Sequence, residues 1–114
     1  MPFIDISDEV FVVAAPEAIA DHVKDTRRQS AWFPGITLTV LEDRKANGVR
    51  WAANGAVSGS AEIWVEPCMD GAVIHTFLRG ETSNAKPWAL TVKNAAFSIK
   101  DALEAGRKVG QPRA

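Results

Sequence analysis

Cysteine, net charge and long apolar runs are what this chain has least of. Cys68 is its one cysteine in 114 residues, which excludes an internal disulfide and a paired-thiol metal site and fits a reducing compartment. A net charge of -1 supplies no global field to draw in nucleic acid, so nucleic acid is not an expected partner. The apolar runs are broken every few residues, and the opening Met1-Pro2-Phe3-Ile4-Asp5 has neither the basic start nor the apolar stretch of a signal peptide. The sequence therefore predicts a cytoplasmic chain with no integral membrane segment. Two histidines, His22 and His75, come without the spacing that converges three or four donors, so no metal and no other cofactor is expected. Gly55, Gly59 and Gly71 fall at turns or within a strand, and none opens a helix with phosphate-loop spacing.

What is present is ordinary globular material. Hydrophobic residues make up 46% and charged residues 24% of the chain, enough for one core and one domain spanning 1–114, with 107–114 expected to fray. Glu9 to Ala15 is a β-branched and aromatic run, and Pro16 ends it while opening a short helix to about Lys24. Asp25 and Thr26 can cap a second short turn through Ser30, after which Trp32-Phe33-Pro34-Gly35 reverses the chain. Strands are then predicted over Ile36–Asp43, Gly48–Ala53, Ala56–Pro67 and Ala72–Arg79, separated by Ala46-Asn47-Gly48, Asn54-Gly55 and Asp70-Gly71. Successive hairpins make a meander, and with the first strand the sheet has five strands.

The last element is the most informative. A polar entry at Thr82-Ser83-Asn84, Pro87, about twenty helical residues and Gly106 describe one long closing helix. Trp88, Val92, Ala95, Ala96, Ile99, Ala102 and Leu103 fall in one stripe, while Leu90 and Phe97 project from nearly the opposite side. Lys100 and Glu104 are spaced for an ion pair. One long helix over one sheet makes a chamber, and a chamber suggests an apolar small-molecule ligand.

Two-residue turns at Asn54-Gly55 and Asp70-Gly71 would fix the register. They would place Glu62 opposite Arg79, Trp64 opposite Phe77, Glu66 opposite His75, Trp51 opposite Ser58 and Cys68 opposite Val73. The first four pairs would share one face of ionisable and aromatic groups. The other face would carry Ala52, Val57, Gly59, Ala61, Ile63, Val65, Ile74, Thr76 and Leu78, with Arg50 as its exception. The ionisable face reads in two ways. A carboxylate and an imidazole beside aromatic walls can bind a polar ligand head or move a proton; equally, cross-strand charge and aromatic pairs can serve a solvated face. Trp32 is either a lid over the chamber mouth or a plug between the early helices and the core. Cys68 is read as a small buried or half-buried residue, and no thiol–imidazole pair with His75 is expected. Ser58 and Ser60 lack an oriented base.

The order strand, two short helices, antiparallel strands and long C-terminal helix resembles the α+β helix-grip fold of the START-like superfamily (SRPBCC, Bet v 1-type). Phe11 to Glu17, Asp25 followed by Trp32-Phe33-Pro34-Gly35, Gly59 to Trp64 leading to Asp70-Gly71 and His75, and the closing Lys100 to Arg107 with Gly110 are similar to an actinobacterial polyketide cyclase/dehydrase-type subfamily. The superfamily commonly has seven strands, so five imply a shortened member with a small or filled chamber.

The resemblance implies non-catalytic binding of a small hydrophobic or aromatic ligand, lipid- or polyketide-like, between sheet and C-terminal helix. Trp32, Trp51, Glu62, Trp64, His75, Phe77, Arg79 and Trp88 are the candidate ligand contacts. The enzymatic alternative is a polyketide aromatase/cyclase with His75 or Glu62 as acid or base. A third is a macromolecular interaction module with a filled core, since the superfamily also resembles ribosome-associated toxin-type proteins. A homodimer would use an exposed sheet face or Leu90 and Phe97.

Overall fold

The computed structural model describes residues 2–105. Strand β1 (Phe3–Val12) is followed by helices α1 (Pro16–Val23) and α2 (Thr26–Trp32), strands β2 (Ile36–Asp43), β3 (Gly48–Gly55), β4 (Ser58–Cys68) and β5 (Gly71–Glu81), and helix α3 (Trp88–Glu104). The five strands form one antiparallel sheet in the order β1-β5-β4-β3-β2. This is the expected α+β helix-grip architecture. The expected cap at Gly106 and the tail 107–114 lie outside the described residues. Among the described residues no helix is long and apolar enough to cross a membrane.

β1 begins at Phe3, six positions ahead of the predicted Glu9, because it pairs with β5 along its whole length, from Phe3 opposite Glu81 to Val12 opposite Ala72. Asp5, Asp8 and Glu9 hide the alternation of Ile4, Ile6, Val10 and Val12 in the sequence. Pairing with a neighbouring strand outweighs local polarity there.

Both hairpin registers differ from the sequence expectation. Asn54 and Gly55 do not form a two-residue turn; they remain in β3, paired with Thr37 and Ile36, while Ala56 N–H donates to Gly35 C=O at 2.9 Å. The last β3–β4 pair is Ala53 with Gly59, so Ala53 meets a residue three positions beyond the Ala56 that a two-residue turn would give. An odd shift reverses the face of one strand relative to the next. Trp51 therefore lies opposite Ala61 instead of Ser58 and turns into the core, and Arg50, opposite Glu62, turns outward.

At the next hairpin the loop is Met69-Asp70, with Met69 at φ 53° and Cys68 paired with Gly71. Gly71 cannot be spared for the turn, since a Cβ there would stand 2.1 Å from the Val12 carbonyl oxygen where β1 crosses it. The shift is even and keeps the faces. The pairs become Glu62 with Phe77, Trp64 with His75 and Glu66 with Val73.

The inner face carries Val49, Trp51, Ala61, Ile63, Val65, Ile74 and Leu78, and α3 covers it with Trp88, Val92, Ala95, Ala96 and Ile99. Leu103 packs against this cluster, whereas Ala102, expected in the same stripe, is exposed. A void large enough for water would leave its lining accessible, yet Phe33, Trp51, Ile63, Ile74, Leu78, Val92 and Ile99 are all 0–1% exposed. The space between helix and sheet at these side chains is solid. One polar group breaks the pattern: Thr76 is fully buried, and its Oγ1 has no hydrogen-bond partner among the described residues. Such a group costs about 1–3 kcal/mol.

The two tryptophans make the face assignment measurable. Trp51→Ala is expected to cost about 3–5 kcal/mol of stability and Trp64→Ala about 1 kcal/mol or less, read from urea unfolding midpoints. A larger loss at Trp64 would mean that the faces are reversed.

Candidate functional site

The candidate residues fall into three places. Glu62, Trp64, His75, Phe77 and Arg79 share the outer face of β4 and β5, away from α3. Trp51 lies in the core, edge-on to Phe33 with ring centroids 6.4 Å apart. Trp32 and Trp88, both buried, stand at the helices.

On the outer face the one-to-one pairing of Trp64 with His75 stacks their rings, with centroids 4.4 Å apart, and the Phe77 ring lies 6.5 Å beyond, nearly parallel. His75 is held from both sides: Nε2 is 3.0 Å from Glu66 Oε1, and Nδ1 is 3.4 Å from Glu9 Oε1. Both ring nitrogens thus already face protein carboxylates. Glu62 pairs with Arg44, not with the expected Arg79. Arg44 also donates through Nε to Glu42 at 2.9 Å, and the two carboxylates, Glu62 foremost, raise its already high pKa. Arg79 instead reaches Asp5 at 3.5 Å and lies 5.9 Å over the Phe3 ring. Arg44 is not among the residues that the sequence singles out; its signal is its place two positions after Glu42 at the β2–β3 corner. A shallow depression of about 260 Å³ runs between Arg50, Ser60, Glu62, Phe77 and Arg79.

Two further openings flank α3. On one side a cleft of about 320 Å³ lies between α2 and α3, lined by Trp32, Pro34, Thr91, Asn94 and Ser98 among others. On the other an opening of about 380 Å³ lies between β1 and α3, lined by Ile6, Ser7, Asp8, Ala89, Leu90 and Lys93.

Helix α2 sets the first of these. Asp25 caps it, accepting from Arg27 N–H at 3.0 Å, and buried Gln29 donates through Nε2 to Val23 C=O at 3.3 Å, tying α2 to α1. Trp32 then closes the helix against His22, with ring centroids 5.6 Å apart. Burial, and after it the Arg28 charge, lower the pKa of His22 below 6.5, so the ring beside Trp32 is neutral at neutral pH. Trp32 is both a plug on the core and a wall of the cleft. Among the described residues no cluster of three or more His, Cys, Asp or Glu side chains is arranged to hold a metal.

No protein-family model and no curated protein matches the chain. Solved structures do match. The Aha1 dimer from Colwellia psychrerythraea superposes with a TM-score of 0.70 at 16% identity, over 92% of this chain and 99% of that one. DR_A0006 from Deinococcus radiodurans gives 0.72 at 10% identity, over 91% and 99%. The di-domain ARO/CYC StfQ from the steffimycin biosynthetic pathway gives 0.57 at 9% identity, over 89% of this chain and 50% of that one. The fold they share with this chain is the helix-grip fold. At these identities the likeness is one of architecture, and it covers nearly the whole length of this five-stranded chain.

The cap on α2 carries a pH dependence. Hydrogen bonds from the Arg27 side chain and then its backbone, with help from Arg28, hold the Asp25 carboxyl well below its ordinary 3.8. A depressed carboxylate stabilises the folded state above its unfolded pKa, and that contribution is lost as pH falls toward the folded value. Asp25→Asn is therefore expected to lose less stability than wild type between about pH 5 and pH 2, measured as urea midpoints. Parallel curves would show that Asp25 carries none of the acid limb.

Proposed function

We propose that this START-like protein binds a small apolar or aromatic molecule without covalent chemistry, along the flanks of α3 instead of in a closed chamber beneath it. The observation that carries this reading is the pair of openings on the two sides of the helix, about 320 and 380 Å³, against a solid interior between them. Those volumes sit at the lower end of the range of small-ligand sites. Burial of apolar ligand surface, at about 25 cal/mol per Å², would supply the affinity. A flanking site also suits a five-stranded sheet, which encloses less than the longer sheets of the superfamily.

An aromatase/cyclase would need a substrate within hydrogen-bond reach of its acid or base. His75 and Glu62 stand on the outer face, each already paired with charged side chains, which favours the non-catalytic reading over the activity named for StfQ. A second reading has its own observation. Trp64, 37% exposed over His75, gives the outer face an aromatic patch, suited to contact with another macromolecule or a second copy of the chain. Leu90 and Phe97, exposed on α3, are the other surface for a homodimer.

Amide shifts in a nitrogen-15-labelled sample, recorded against a panel of apolar and aromatic compounds that native mass spectrometry first shows to bind, separate these readings. Perturbation of Thr91, Asn94 and Ser98, or of Ser7, Ala89 and Lys93, is the expected result. Shifts confined to Trp64, His75 and Phe77, or no binding across the panel, would overturn it in favour of an interaction surface.

A further inference from the structure

The inner face of β1 reads Ile4, Ile6, Asp8, Val10, Val12, four aliphatic side chains with one carboxylate in the middle. The register sets Asp8 directly opposite Thr76, the buried threonine whose hydroxyl has no partner. Opposed residues on one face have Cβ atoms within about 5.5 Å, yet the two side chains make no hydrogen bond with each other. The side chain of half-buried Asp8 has no ion pair or hydrogen bond among the described residues. It lines the opening between β1 and α3, where Lys93 also has no ion pair among the described residues. Beside them Leu90 is 63% exposed against Ile6 and Ala89. An unpaired carboxylate and an uncovered apolar wall thus line one opening, and a buried, unpartnered hydroxyl stands on the same rung as the carboxylate.

We propose that this is the polar end of the ligand site, and that its ligand is a hydroxylated apolar molecule, a phenol or cyclic alcohol. Its hydroxyl would lie between Asp8 and Thr76, and its body against Ile6, Ala89 and Leu90. The proposal rests on the ligand-binding reading above and names the ligand class.

The donor and acceptor inventory selects the group. An ionised carboxylate only accepts, so the ligand must donate to Asp8. The Thr76 hydroxyl needs an acceptor for its own proton, which a hydroxyl oxygen supplies and an ammonium does not. A carbonyl would satisfy Thr76 and face Asp8 oxygen to oxygen. A ligand carboxylate would be repelled by Asp8, and a ligand ammonium by Lys93. Of these groups, a hydroxyl alone donates to the one and accepts from the other through a single atom. Thr76 is fully buried, so reaching it requires the β1–α3 gap to widen as the ligand enters.

2-Naphthol and naphthalene make the test, differing by the one group in question. Titrations followed by amide shifts are expected to perturb Ser7, Asp8, Ala89 and Leu90, with 2-naphthol binding at least about tenfold more tightly than naphthalene. Thr76→Val and Asp8→Asn should each remove about that tenfold for 2-naphthol and leave naphthalene unchanged, which also shows that both variants are folded. Equal affinities for the two compounds would overturn the proposal. So would a Thr76→Val variant that is merely more stable and binds 2-naphthol as wild type does, the behaviour of an ordinary core threonine. Shifts at Asn94 and Ser98 alone would place the ligand in the α2–α3 cleft, ending this proposal while leaving the ligand-binding reading intact. No shift with either compound also ends it, and the broader panel then decides the parent reading separately.

Discussion

The attachment of α3 to the end of β1 is the constraint from which the rest of the arrangement follows. Lys100 donates to the Phe11 carbonyl at 2.7 Å and to Glu104 at 2.9 Å, and Glu104 in turn accepts from the Val13 amide at 2.8 Å. Phe11 and Val13 flank the point where β1 leaves the sheet, so their backbone groups would otherwise need water or a further strand. An ion pair of this spacing on an isolated helix is worth about 0.3–0.5 kcal/mol; here the same pair also satisfies backbone groups of another element. With the helix tied to β1, and β1 running so close beside Gly71 that a Cβ there would collide with the Val12 carbonyl, the covered face of the sheet is no longer free to vary.

That constraint explains which parts of the molecule were readable in the sequence. The α3 stripe was legible because helical periodicity alone selects Trp88, Val92, Ala95, Ala96 and Ile99. The faces of β4 and β5 were legible although their register was not, because a two-residue displacement leaves every side chain on its own side of the sheet. Trp51 was not legible. Its side depends on whether the following connection is odd or even in length, and that is decided by the pairing of Gly55 with Ile36 on the next strand, a contact no local dipeptide encodes. Hairpin dipeptides state where a chain can turn; the close approach of β1 at Gly71 states where it must not.

The site residues divide along the same line. Trp64, His75 and Phe77 share a face because they sit on strands whose parity was right, whereas the partner of Glu62 came from the β2–β3 corner, a connection whose geometry the sequence does not supply. Asp8 escaped notice for the opposite reason. Surrounded by Asp5, Ser7 and Glu9, it looks like part of a solvated segment, and only the pairing of β1 with β5 reveals that it shares a face with Ile6 and Val10.

The packed interior and the unsatisfied hydroxyl belong to one argument. With Phe33 and Trp51 filling the space under the sheet, the fold has spent its chamber on a core, and a ligand is left to the margins of α3. In such a core a threonine is the wrong residue on energetic grounds. Valine has nearly the same shape and carries no group to desolvate, so Thr76 makes the folded state less stable than its apolar isostere would. Departures from local consistency concentrate at places where a protein does something besides fold. Here the departure is doubled, since the one carboxylate on the inner face of β1 stands on the same rung as the one orphaned hydroxyl of β5. Either group alone would be an imperfection of packing; together, with Asp8 on the opening beside α3 and Thr76 buried on the rung next to it, they form a pair that one further polar atom could join.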